Sequence, residues 1–99
     1  MTAYAVGLYN IWDASWRSAY REKVGALVAK HGGKYIVRSS DPWEMLEGAP
    51  PQITGLTIIE FPSMEKARAW YNDSEYAPMI TLRQSGAKLD FFLVEGSTW

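Results

Sequence analysis

The chain contains no cysteine. That excludes disulfides, thiolate nucleophiles and cysteine-held zinc or iron–sulfur centres. It has a single histidine, His31, and one histidine without other strong ligands does not build a typical zinc site. No apolar run approaches the roughly 18 residues that a membrane span requires, and no basic region precedes an apolar one near Met1. Lysine and arginine never cluster. They are scattered among the acids, the net charge is −1, and the electrostatic footprint of a nucleic-acid binder is missing. There is no G-x-S-x-G, no phosphate-binding P-loop and no G-x-G-x-x-G, so no standard motif holds a nucleotide, flavin or nicotinamide. The expectation is a soluble, cytoplasmic protein with no metal, no bound cofactor and no nucleic-acid or membrane partner.

What is present is aromatic. Five Trp, six Tyr and three Phe in 99 residues are a heavy load for one domain. Such side chains fill a small core, bury themselves between subunits or shape a pocket for a planar ligand. Residues 4–11 alternate as a strand, with Val6 and Leu8 on one side and Ala5, Tyr9 and Ile11 on the other. Asp13 or Ser15 can cap the next element. Trp16, Tyr20, Val24, Leu27, Val28 and His31 form one face of a helix over residues 14–30, which Gly32-Gly33 stops. Residues 34–39 read as a second strand, and residues 43–46 as a candidate continuation of its pairing. The segment Gly48-Ala49-Pro50-Pro51 is a loop.

Gly55 to Phe61 is rich in β-branched and aromatic residues and ends at Pro62. Ser63 caps the next helix, whose first turn holds Glu65 and whose apolar stripe is Ala67, Trp70 and Tyr71; Asn72-Asp73-Ser74 breaks it. A short turn or helix over residues 75–85 leads to a last strand over residues 88–95. The order is β-α-β-β-α-β, a ferredoxin-like α+β protomer with a four-stranded antiparallel sheet. In the third and fourth strands both side-chain rows are apolar, yet two helices cover only one sheet face. A second copy, packed sheet to sheet, would cover the other, so the patterning predicts a homodimer through sheet faces.

The segments AKHGGKYIVRSS, EMLEG, IIEFPSMEKARAWYNDSEYAPM, LRQS and LVEG, in this order and spacing, resemble the DUF1330 family. The resemblance covers nearly the whole chain and implies a dimeric α+β barrel with a small-molecule pocket. It names no reaction. Its wider structural relatives span cofactor-free monooxygenases of aromatic polyketides, muconolactone-type isomerases, olivetolic-acid-type cyclases and haem-dependent proteins, and fold does not choose among them. The family's recurring polar positions match at Arg38, Glu47, Gly48, Glu60, Ser74, Tyr76, Arg83, Glu95 and Gly96. The chain departs in its bulkier Trp12, Trp16 and Trp43, in QITGL before the third strand, and in its GSTW tail.

Three residues are candidates for chemistry. Arg38 shares the parity of Ile36 and is expected to face an apolar layer, either as a planar fork for a carboxylate, enolate or phenolate, or as the ion-pair partner of Glu60 or Glu47. Glu60 shares parity with Leu56 and Ile58, where desolvation would make it a base unless Arg38 pairs it. His31 is a proton carrier or a packed residue at a helix C-terminus. Asn10, Trp12 and Trp16, where the first strand enters the first helix, and Trp43, after the second strand, are candidate substrate-binding residues. Tyr76 and Arg83 are expected to cover a pocket mouth or to anchor a loop to the partner. The function expected is a small cofactor-independent enzyme for an oxygenated, aromatic or polyketide-like molecule, acting by isomerisation, cyclisation or oxygenation through an enolate or phenolate. The alternative is a non-catalytic ligand-binding or stress-response dimer.

Overall fold

The computed structural model describes residues 1–48 and 52–97. The tip of the predicted proline-rich loop and the end of the GSTW tail lie outside the described residues. The elements are β1 (Ala3–Ile11), α1 (Arg17–Lys30), β2 (Lys34–Val37), β3 (Gly55–Phe61), α2 (Met64–Tyr71), α3 (Ala77–Gln84) and β4 (Ala87–Glu95). All strand pairs are antiparallel, in the order β2-β3-β1-β4. This is the ferredoxin-like arrangement, with the second helical unit built as two short helices.

The local chemistry explains most boundaries. Ser63 has extended dihedrals and its Oγ accepts the Lys66 N–H at 3.1 Å, a side-chain cap at the start of α2. Gly32 takes φ 79° and Gly33 donates its N–H to the Val28 carbonyl at 2.8 Å, which closes α1. The start of α1 differs from expectation. Asp13 Oδ1 accepts the Ser15 N–H at 2.9 Å in a local turn, and the helix begins only after Trp16, which makes no side-chain cap bond. Residues 43–46 form no strand; Trp43, Met45 and Leu46 are exposed.

All helices lie on one sheet face. Ala3, Ala5 and Tyr9 of β1, Ile59 and Phe61 of β3 and Ala87 of β4 are buried beneath Val24, Leu27, Val28, Ala67, Trp70 and Tyr76. The alternate row is left open. Tyr4, Val6 and Leu8 of β1 and Leu56 and Ile58 of β3 are only half-buried, while Ile36, Phe92 and Val94 stand 46%, 49% and 45% exposed. The double apolar pattern of β3 and β4 thus resolves into one core-facing row and one open apolar row.

Candidate functional site

The second strand decides where the site lies. Tyr35 pairs with Ile59, but Val37 pairs with Ile58, so one extra residue is accommodated at Ile36. Such an irregularity inverts the facing of the residues after it. Arg38 therefore does not share the face of Ile36. It falls on the helix side, with its guanidinium carbon 5.1 Å from the centre of the Tyr35 ring. The expected pairing with Glu60 does not form. Glu60 is on the open face, opposite Lys34 in the ladder, and its carboxylate lies 3.6 Å from the Lys34 amine.

A narrow cleft, about 40 Å3 of room for solvent and about 400 Å3 when its open mouth is counted, lies between α1 and the helix-side face of the sheet. Tyr9, Trp16, Tyr20, Tyr35 and Thr57 form its walls, and Arg17, Arg21, Arg38 and Ser39 its rim. Arg17 donates to Ser39 Oγ at 3.2 Å. Trp16 is fixed by Tyr9, stacked at 6.1 Å between ring centres, and by Tyr20, edge-on at 5.2 Å.

Beneath the cleft is a buried polar cluster. The hydroxyls of Tyr20 and Tyr76 are 2.8 Å apart, and Arg83 Nη1 donates to both, at 3.1 and 2.9 Å. Arg83 is only 4% exposed, and its Nε has no partner among the described residues. A buried guanidinium is ordinarily matched by a carboxylate; here it meets phenols. Burial first, then the neighbouring Tyr20, pushes the Tyr76 phenol well above its usual range, and burial does the same to Tyr9 and Tyr35. Burial works against the charge of Arg83, but the Tyr20 and Tyr76 hydroxyls outweigh it and hold its pKa above the ordinary arginine value. The cluster is thus a cation among neutral donors.

The proton count of this cluster matters. Each phenol has one proton and can accept more than one bond. The Tyr20–Tyr76 bond can run in either direction; when Tyr76 donates, the Tyr20 oxygen accepts from both Tyr76 and Arg83, and its own proton is free for a third oxygen. Two incoming bonds polarise that O–H and strengthen it as a donor. Placed against an oxygen that gains negative charge, it serves as an oxyanion-stabilising group.

The remaining candidates are dispersed. His31 caps α1 and its Nε2 lies 2.8 Å from Asp73 Oδ2, away from the cleft lining. Asn10 projects from the open-face row and donates to Gln52 Oε1 at 3.4 Å. Trp12 is 63% exposed and Trp43 40%; neither lines the cleft. Trp16 does. Tyr76 and Arg83 come together as expected, but in the core rather than at a mouth. Sequence reasoning missed Tyr9, Tyr20, Tyr35, Arg17 and Arg21. The available signal was the i, i+4 pair Arg17 and Arg21 flanking Tyr20, whose hydroxyl on an apolar helix stripe needs a partner.

Two other depressions are less suited to chemistry. One, about 450 Å3 with its mouth, lies against Trp70, Tyr71, Phe91 and Phe92 and is almost wholly apolar. The other, about 590 Å3, opens beside Asn10, Gln52, Lys88 and Asp90. Among the described residues no helix is long and apolar enough to cross a membrane, and no three His, Asp or Glu side chains converge as a metal site.

Fold and cleft together define an α+β protein of ferredoxin-like plan with an arginine- and tyrosine-lined depression between its first helix and its sheet. The chain belongs to the DUF1330 family, described as a domain of unknown function, whose model matches residues 2–97. No functionally curated protein matches the sequence. Among solved structures it is similar to RPA0582, a protein of unknown function from Rhodopseudomonas palustris, with 20% identity and a TM-score of 0.76 over 98% of this chain and 83% of that one. It is also similar to SnoaB from Streptomyces nogalater, described as a cofactor-independent oxygenase, with 12% identity and a TM-score of 0.69 over 99% and 95% of the two chains. A dimeric protein of unknown function with a ferredoxin-like fold from Bacteroides fragilis matches at 14% identity and a TM-score of 0.63 over 96% of each chain. At these identities the likeness concerns the fold.

Proposed function

We propose that this protein is a small enzyme that holds an oxygenated aromatic or polyketide-like molecule as its phenolate or enolate and turns it over without a bound cofactor. The observation that carries this reading is Tyr20, which lines the cleft and whose hydroxyl accepts from Arg83 and lies 2.8 Å from the Tyr76 hydroxyl. It is a polarised donor backed by a buried cation, suited to an oxygen that becomes anionic. Among the described residues no carboxylate or imidazole lines the cleft, so the expected roles of Glu60 and His31 as proton carriers have no geometric support. A substrate acidic enough to ionise on binding needs no protein base. Among the reactions open to such an anion, oxygenation suits this arrangement, and the cofactor-independent oxygenase among the structural neighbours favours it by analogy. An activated CH2 would combine with dioxygen to a hydroperoxide, and loss of water would leave a ketone. The open row on the sheet, with Ile36, Phe92 and Val94, is proposed to be covered by a second copy in a sheet-to-sheet dimer.

The same lack of a base favours a second reading, a dimer that binds such molecules without changing them. Anthrone, with an acidic CH2 beside an aromatic ketone, separates the two. The enzyme reading expects oxygen uptake well above the buffer rate, with one dioxygen consumed per anthrone. Tyr20→Phe should lower the rate by roughly 100–1,000-fold, as loss of an oxyanion donor does. Glu60→Gln and His31→Phe should each leave it within about threefold, since neither acts as the general base. Saturable binding with no acceleration assigns the binding module; neither binding nor turnover removes the cleft from consideration.

A further inference from the structure

Arginine and lysine are equally numerous in this chain, five of each. Their placement is unequal. Arg17, Arg21 and Arg38 line the cleft and Arg83 bonds the Tyr20 hydroxyl beneath it, whereas no lysine lines it. No Asp or Glu lines it either, in a chain where acids slightly outnumber bases. Every ion pair among the described residues uses a lysine or His31 as the cation; none uses an arginine. The one acidic side chain bonded next to the rim, Asp41, accepts the backbone N–H of Arg38 at 2.8 Å rather than its guanidinium. Arg17 meets only the neutral Ser39 hydroxyl. Arg17 and Arg21 are also one turn apart on α1, where like charges repel.

Three arginines thus share one mouth without a counter-charge among the described residues. Arginine differs from lysine in offering a planar fork that binds a carboxylate through two parallel bonds. We infer that the mouth holds a carboxylate carried by the ligand, so that the substrate is a hydroxy-aromatic or enolic acid. Its hydroxyl or enol oxygen is directed at Tyr20 on the wall, its ring lies against Tyr35 in the open mouth, and its carboxylate sits among Arg17, Arg21 and Arg38. This rests on the phenolate or enolate site proposed above and adds a second, charged point of recognition to it.

Calorimetric titration at neutral pH with phenol, benzoate, 4-hydroxybenzoate and phenyl phosphate tests it. The expected result is that 4-hydroxybenzoate binds at least about tenfold more tightly than phenol, as a charge-assisted bidentate contact provides. Arg38→Gln and Arg21→Gln should each erase most of that advantage. Tyr20→Phe should instead erase the advantage over benzoate. Arg21 and Arg38 are exposed, so these variants are expected to keep the wild-type melting temperature. A measurement without mutation supports the same distinction: raising salt from about 0.05 to 0.5 M should weaken 4-hydroxybenzoate binding and spare uncharged phenol. If 4-hydroxybenzoate binds no better than phenol, the carboxylate site is wrong while the Tyr20 site stands. If benzoate equals 4-hydroxybenzoate, the arginine mouth stands and the Tyr20 reading fails. Phenyl phosphate binding more than about tenfold tighter than 4-hydroxybenzoate overturns the carboxylate in favour of a phosphate ester. If none of the four binds, both proposals fail.

Discussion

Tyr20 from α1 and Tyr76 from the link into α3 place their hydroxyls 2.8 Å apart, and one nitrogen of Arg83 donates to both. The three residues tie the first helix to the last, so the cluster that polarises the cleft also holds its wall in place. Hydrogen bonds to a charged group contribute roughly 1.5–3 kcal/mol each, and the two hydrogens of that one nitrogen let it meet both hydroxyls.

Arg83→Lys should therefore destabilise the fold by about 1–3 kcal/mol, because the lysine nitrogen stops short of the position of Nη1 and the planar contact with the Tyr20 ring, 5.8 Å from its centre, is lost. Urea unfolding measures it. A cycle combining Arg83→Lys with Tyr76→Phe should show a coupling of about 0.5–3 kcal/mol. Strict additivity of the two changes would show that the contacts do not act as a network.

The open sheet row gives a paired test on adjacent residues of β4. Phe92 is 49% exposed on the open face, whereas Phe91 packs edge-on against Trp70 at 5.8 Å on the helix side. Phe92→Asp should leave each protomer folded and yield a monomer in light scattering, because a charge would be buried between two copies. Phe91→Asp should unfold the protomer, at a cost above the roughly 3–5 kcal/mol of simply removing a buried Phe. A monomeric wild-type protein at micromolar concentration would rule out the dimer.

Particular elements show how much of the fold is legible in the sequence. The bounds of Gly55–Phe61 can be read directly, because β-branched content, Pro62 and Ser63 all point the same way. The stripe of α1 is readable because its buried side chains recur at helical spacing. Parity counting misplaces Arg38 because of a single irregularity at Ile36, and nothing local distinguishes that residue from its neighbours. Apolar content alone favours a strand at residues 43–46, and no partner strand is present there among the described residues. The cleft is the least legible feature. Its tyrosines read as core because their rings are core, and only the convergence of three elements on their hydroxyls gives them another role.

Asp73 joins three segments. Its Oδ2 accepts from His31 Nε2 at 2.8 Å and from Lys30 Nζ at 3.0 Å, and its Oδ1 accepts the Glu75 N–H at 2.9 Å. The His31 bond first, then the Glu75 N–H and Lys30, hold its carboxyl far below the usual value of 3.8. A depressed carboxyl stabilises the fold fully above its unfolded value, and that contribution is lost as pH falls below it towards the folded value. Asp73→Asn should thus melt several degrees lower than the parent at neutral pH, and the gap should narrow as pH falls from about 5 to 2. A gap that stays constant over that range would show that the charge of Asp73 is not what matters.

The wall of the cleft rests on one glycine. The carbonyl of Gly86 accepts the N–H groups of Trp12 and Asp13 at 3.0 and 3.2 Å, which fastens the end of β1 to the start of β4. A Cβ at Gly86 would meet Trp16 Cδ1 at 2.7 Å and Nε1 at 2.8 Å, and would also press on the Asp13 carbonyl. Trp16 is only 4% exposed and wedged between Tyr9 and Tyr20, so it has no free rotamer to move into. Gly86→Ala should destabilise the protein by about 1–3 kcal/mol, as overpacking does. It should also displace Trp16 towards Tyr20 and weaken ligand binding in the cleft. The cost comes from space and not from backbone conformation, so pairing it with Trp16→Leu should recover part of the stability by relieving the indole contact. The Asp13 carbonyl contact remains in that pair, which keeps the recovery incomplete. Thermal melts of the single and double variants decide it: if Gly86→Ala melts with the parent, the wall has slack and Trp16 is not held in the way these contacts imply.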